Sequence, residues 1–99
     1  FIAFDYYYSA KGFRFWAENS VRKINMGQET VFQSGTVLKA VLPRKGFIKL
    51  IKDGKEYYKL KSKELFFKVK EPGVYRLEIF HRRRLGWRAW IYSNPIYLR

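Results

Sequence analysis

Cysteine is absent from the 99 residues. No disulfide can staple the fold, and neither a thiolate metal site nor a thiol nucleophile is available. Histidine occurs once, as His81, beside three arginines. A zinc site draws three or four ligands from Cys, His and carboxylates, and this set does not supply them, so His81 reads as a strand-end residue and not a ligand. Acids are scarce, eight against twenty-one Lys and Arg. Long apolar runs are also missing. None approaches the ~20 residues of a membrane span, and the opening lacks the basic and apolar regions of a signal peptide. A cytoplasmic location without a membrane partner is the expectation.

Catalytic signatures are equally thin. There is no glycine-rich phosphate loop, no G-x-S-x-G and no H-E-x-x-H. Paired carboxylates for glycoside chemistry would have to come from Asp5, Glu18, Glu29, Asp53, Glu56, Glu64, Glu71 and Glu78. Most of these fall at turns or outward strand positions, where they offset neighbouring lysines. The chain reads as non-catalytic, with no cofactor and no metal.

What is present is a strand-forming pattern. Hydrophobic residues make up 47% of the chain and aromatics 20%, enough to exclude a disordered polyelectrolyte and rich in residues that favour strands. The hydrophobic period is two. Phe13, Phe15 and Ala17 alternate with Arg14, Trp16 and Glu18. Leu38, Ala40 and Leu42 flank the outward Lys39. Leu65, Phe67 and Val69 alternate with Phe66, Lys68 and Lys70, and Tyr75, Leu77 and Ile79 with Arg76 and Glu78. Asp53-Gly54 is a two-residue hairpin signal, because a type I′ turn needs positive φ at both central positions. Pro72-Gly73 predicts a type II turn with positive φ at Gly73. Arg44-Lys45-Gly46 reads as a third turn, and Ser93 to Pro95 as a break before the last strand.

Runs near 2–9, 12–18, 36–43, 46–52, 56–61, 64–70, 74–81, 86–92 and 95–99 follow. Residues 19–35 read as loop with one short strand. Nine short runs predict a single all-β domain over 1–99, an immunoglobulin-like antiparallel β-sandwich. Tyr75, just after a Pro-Gly turn, matches the tyrosine whose hydroxyl ties a corner of such sandwiches to upstream backbone; a plain core tyrosine fits the sequence equally.

The charge is concentrated. Fifteen basic and five acidic residues lie between Arg44 and Arg88, giving +10 of the +13 total. Such a surface attracts polyanions, whether nucleic acid, phosphorylated substrates or an acidic partner domain; it also serves simply as a solvated face. Basic residues interleaved with outward aromatics suit single-stranded nucleic acid, which stacks on rings in a cationic groove. The candidate set is Phe66, Lys68, Lys70, Arg82, Arg83, Arg84, Arg88 and Trp90. The competing reading is that these aromatics cover a second sheet or domain. A sugar platform on Trp16, Trp87 and Trp90 is a third reading, poorly matched to the charge.

The tail carries a resemblance. Gly73, Val74, Tyr75 and Arg76 open a strand; Trp90, Ile91 and Tyr92 follow, then Ser93, Asn94, Pro95, Ile96 and Tyr97. With Met26-Gly27 and the Gly-centred hairpin upstream, this resembles the C-terminal β-sandwich domain of some PHP (polymerase and histidinol phosphatase) metal-dependent phosphoesterases, over roughly residues 24–99. The resemblance implies an accessory domain that braces a catalytic domain or borders its substrate path. In that family the metal ligands belong to an N-terminal domain, which would be this chain's partner, and no position here matches one. A start at Phe1, without methionine and in strand-like sequence, agrees with a piece excised from the C-terminus of a larger protein. In the tail, Trp87, Ala89 and Ile91 alternate with Arg88, Trp90 and Tyr92, so only one set is expected to face the core.

Overall fold

Asp53 and Gly54 make the turn their sequence predicts, with φ of 51° and 82°. They join the two longest strands of a computed structural model that describes residues 2–3, 12–83 and 86–99, with the backbone alone at 2, 3 and 83. The strands are β1 (Ile2–Ala3), β2 (Arg14–Glu18), β3 (Lys23–Asn25), β4 (Glu29–Thr30), β5 (Val37–Lys52), β6 (Lys55–Lys68), β7 (Gly73–Arg83), β8 (Gly86–Tyr92) and β9 (Ile96–Leu98). No helix occurs among the described residues, and none is therefore long and apolar enough to cross a membrane.

β5 organises the sheet. Its first half pairs with β2 and its second half with β7, while β6 runs along its other edge throughout. One edge of β7 takes both β8 and β9. β9 pairs in parallel with β4, the one parallel pairing among the described strands. β4 follows β3 through a turn at Gly27, where φ is 89°, and β3 returns to β2. The Gly27 amide donates to the Pro95 carbonyl at 2.6 Å, and the Tyr97 amide to the Gln28 carbonyl at 3.0 Å. Pairing thus runs from β3 through β2, β5, β7 and β9 to β4, and β3 and β4 are joined by the chain at Gly27 without a ladder between them, which leaves a nearly closed mixed sheet.

The alternation in the sequence reports the faces of β2, β5 and β7 because each of these strands has one side in the core. Phe15, Leu38, Leu42, Leu65, Tyr75, Leu77 and Ile79 are all buried in one cluster with Ile48, Leu50, Trp90, Ile91, Ile96 and Leu98. Two expected turns are absent. Residues 44–46 do not join separate strands; they lie in an irregularity of β5, where the register jumps between Val41 and Gly46. Extra residues in one strand bend it and sharpen its twist. Here they let a single strand serve two different neighbours. Gly46 fits a close approach here: a Cβ would lie 3.0 Å from the Phe80 carbonyl oxygen and 3.1 Å from Ile79 Cγ2, so a larger residue would require β7 to shift by a few tenths of an ångström.

Gly73 is not in the left-handed region. It opens β7 directly, opposite Leu98, so the chain is extended where a type II turn was predicted. Runs 56–61 and 64–70 likewise merge into β6, and the stretch 19–35 holds two short strands, β3 and β4, in place of one. Of run 2–9, residues 4–9 lie outside the described residues.

The break at Ser93 to Pro95 occurs as predicted, between β8 and β9. Ser93 is buried and repairs the ladder locally: its Oγ accepts the Leu77 amide at 2.8 Å and its own amide donates to the Leu77 carbonyl at 2.9 Å. Both tail strands therefore dock on one continuous edge of β7.

At the opposite end a polar clamp ties the β5–β6 hairpin to β7. Asp53 Oδ1 accepts the Val74 amide at 2.9 Å, and Lys52 Nζ bridges Asp53 and Glu71 at 3.2 and 3.0 Å. The Val74 amide, and then Lys52, hold the Asp53 carboxyl below its usual range. Hydrogen bonds to Glu71 and Asp53 raise Lys52. Tyr75 is fully buried, and its hydroxyl donates to the Glu71 carbonyl at 2.7 Å, four residues upstream. Burial pushes this phenol up to about 12.

A buried neutral phenol stabilises the fold below its unfolded pKa of about 10, and that contribution is lost as pH rises to about 12. Asp53 acts in the opposite sense: its contribution holds above the unfolded carboxylate pKa and is lost as pH falls through the lowered folded value. Tyr75→Phe should therefore unfold at lower urea than wild type at neutral pH, by about 1 kcal/mol, and the gap should close between pH 10 and 12. A gap independent of pH would show that the hydroxyl is not buried.

Candidate functional site

The outer face of β6, β5, β7 and β8 collects the aromatic and basic residues that the core excludes. Register places them in rows. Lys61 stands opposite Phe47, Phe47 opposite Phe80, and Phe80 opposite Ala89. One row on, Lys59 faces Lys49, Lys49 faces Glu78, and Glu78 faces Tyr92. Arg82 faces Trp87. Cross-strand partners share a face of the sheet, so four strands contribute to a single surface.

The aromatic rings make a cradle. Phe47 and Trp87 lie 5.5 Å apart, tilted by 59°. The Lys49 ammonium sits 5.1 Å from the Phe80 ring centre, and Lys61 sits 5.2 Å from that of Trp87. Phe47, Lys49, Phe80 and Trp87 line an open groove of about 420 Å³. Trp87 remains 43% exposed, leaving π-surface for a ligand.

The electrostatics are graded along the face. Towards the hairpin, Glu56 pairs with Lys49 at 3.4 Å and reaches Lys59 at 4.0 Å, while Glu78 pairs with Arg76. Lys61 and Arg82 enter no ion pair among the described residues. The uncompensated charge thus lies at the Trp87 end of the groove.

The residues singled out from sequence do not form one site. Phe66 is exposed, at 62%, with the Lys39 ammonium 5.5 Å from its ring. It stands opposite Lys39, whose other neighbour is Trp16. That aromatic row lies five residues along β6 from Lys61, roughly 17 Å at the strand rise, and Lys39 there is neutralised by Glu18 at 2.6 Å. Lys68 and Lys70 are exposed beyond it. Arg82 and Arg88 are exposed on the β7–β8 hairpin, and only Arg82 joins the cradle. Arg83 is described in its backbone alone, and Arg84 lies outside the described residues.

Trp90 requires a correction: it is fully buried, so it cannot stack on a ligand. The cause is a bulge. Ile79 pairs with Ile91 and Phe80 with Ala89, which leaves Trp90 as an extra residue in β8. Alternation fails there, and Trp90 and Ile91 both turn inward. The indole stacks on His81, ring centres 5.3 Å apart and planes within 4°. The Arg44 guanidinium lies 5.2 Å from the Trp90 ring and donates to His81 Nδ1 at 2.8 Å. His81 is a buried packing residue, and among the described residues no group of three His, Cys, Asp or Glu is placed to hold a metal.

Phe47, Lys49, Lys61 and Phe80 are not singled out from sequence, and Trp87 enters there only as a sugar platform and in the alternation of the tail. Phe47-x-Lys49 and Phe80-x-Arg82 each alternate an aromatic with a cation beside the inward Ile48 and Ile79, which marks each as outward. Their adjacency depends on long-range register. No family model, curated protein or solved structure matches the chain.

Proposed function

We propose that this chain is a non-catalytic binding module that holds a polyanion, single-stranded nucleic acid above all, on the Phe47–Phe80–Trp87 face. The observation that carries this reading is the exposed indole beside two phenylalanines, rimmed by Lys61 and Arg82 without ion-pair partners among the described residues. Unstacked bases lie on such rings while phosphates meet the cations. Duplex DNA keeps its bases stacked on one another and offers the indole nothing comparable. The test is a titration of fluorescent single-stranded and duplex oligonucleotides over a salt series. Preferred single-strand binding, with affinity falling linearly in log salt, supports the module. No binding at low salt, or equal binding of duplex, overturns it.

A second reading, favoured by the Tyr75–Glu71 corner and the tail docked on β7, is an immunoglobulin-like accessory domain serving a PHP-type phosphoesterase. The aromatic face would then brace the catalytic domain or border the path of its phosphorylated substrate. Joining this chain to such a catalytic domain should raise its melting temperature or lower its KM. If neither changes, the accessory role fails.

A further inference from the structure

Among the described residues, the outer edge of β6 carries no neighbouring strand. Among the described residues β6 pairs with β5 alone, over fourteen residues. Among the described residues no second strand meets its outer edge, the template on which a further strand can add, although the Glu64 amide donates within β6, to Ser62 Oγ at 3.1 Å. No proline interrupts it. We propose that this edge takes an extended segment of a partner protein that alternates acidic and apolar residues, added as an antiparallel or parallel strand.

Both side-chain requirements come from β6 itself. On the outer face Lys59 and Lys61 stand opposite Lys49 and Phe47, and the strand carries Lys55, Lys63 and Lys68 besides, against Glu56 and Glu64. A second copy paired antiparallel about Lys61 would set Lys59 against Lys63 and Lys61 against itself, and like charges directly opposite are destabilising. The lysines thus guard the edge against self-pairing while leaving it complementary to an acidic strand. On the other face Tyr58 and Leu60 stand opposite the buried Leu50 and Ile48. Tyr58 is 41% exposed and Leu60 is only partly covered. The apolar residues of an added strand would extend the core over them. Main-chain bonds supply affinity and alternate side chains supply selectivity, as in other strand-addition interfaces.

The probe is a capped peptide alternating Glu and Val, compared with the same peptide N-methylated on alternate residues. N-methylation removes ladder donors and leaves the charge unchanged. The unmethylated peptide is expected to bind and to slow amide exchange in β6. Its methylated form should bind roughly tenfold more weakly or worse. Lys59→Glu with Lys63→Glu should weaken the Glu-Val peptide and admit a Lys-Val peptide. Trp87→Ala should leave peptide binding unchanged, which separates this edge from the nucleic-acid face. Equal binding of both peptide forms would mean charge attraction alone and overturn the proposal, as would unaltered exchange in β6.

Discussion

Trp87→Ala is expected to weaken binding of a single-stranded oligonucleotide about 5- to 150-fold, the range given by a stacking loss of about 1–3 kcal/mol per base. The salt slope should not move, because the substitution removes a ring and no charge. Lys61→Gln and Arg82→Gln should do the reverse in part: each lowers affinity and flattens the slope by about 0.7, the share of one phosphate contact on a single strand. Trp87 is 43% exposed, so its truncation should leave urea unfolding close to wild type, and the binding loss cannot be assigned to misfolding. Phe66→Ala supplies the internal comparison. Phe66 is more exposed than Trp87 but stands beside a lysine already paired with Glu18. Its removal should change affinity less than about twofold. If Phe66→Ala abolishes binding and Trp87→Ala does not, the ligand lies across Trp16 and Phe66, and the cradle described above is only a packed surface.

That contrast also shows what was legible in the sequence. The faces of β2, β5 and β7 follow from a period of two, because each of these strands has one wet side and the alternation is local. The Asp53-Gly54 hairpin is local for the same reason: both residues accept positive φ. The Tyr75 corner and the break at Ser93 are readable from tyrosine, proline and neighbouring turn residues. Elements set by distant pairing are not. Arg44-Lys45-Gly46 has the composition of a turn, yet β2 and β7 claim the two halves of β5 and hold the segment as an irregularity. β3 and β4 are too short to show a period, and they exist because β2 and β9 offer them partners. The candidate site suffered from the same limit. Its aromatics sit on three strands, and only the register of β5, β7 and β8 brings Phe47, Phe80 and Trp87 together.

Trp90 is where the two kinds of information collide, and its replacement should have the largest effect on stability. Read by alternation it shares a face with Arg88; the bulge turns it into the core beneath His81 and Arg44. Trp90→Ala should cost about 3–5 kcal/mol, the range for deleting a large buried aromatic, against a total stability of about 5–15 kcal/mol for a domain. Trp90→Phe should cost distinctly less, for two reasons. It retains a ring to stack on His81. It also removes the indole Nε1, which is buried without a hydrogen-bond partner among the described residues, and an unmet buried donor carries a penalty of about 1–3 kcal/mol. Urea unfolding followed by far-UV circular dichroism measures both. A Trp90→Ala protein as stable as wild type but deficient in oligonucleotide binding would put the indole on the surface. The alternation would then run unbroken through β8, and Ile91 would have to leave the core. A large loss in Trp90→Ala with partial recovery in Trp90→Phe is the outcome that an inward Trp90 produces.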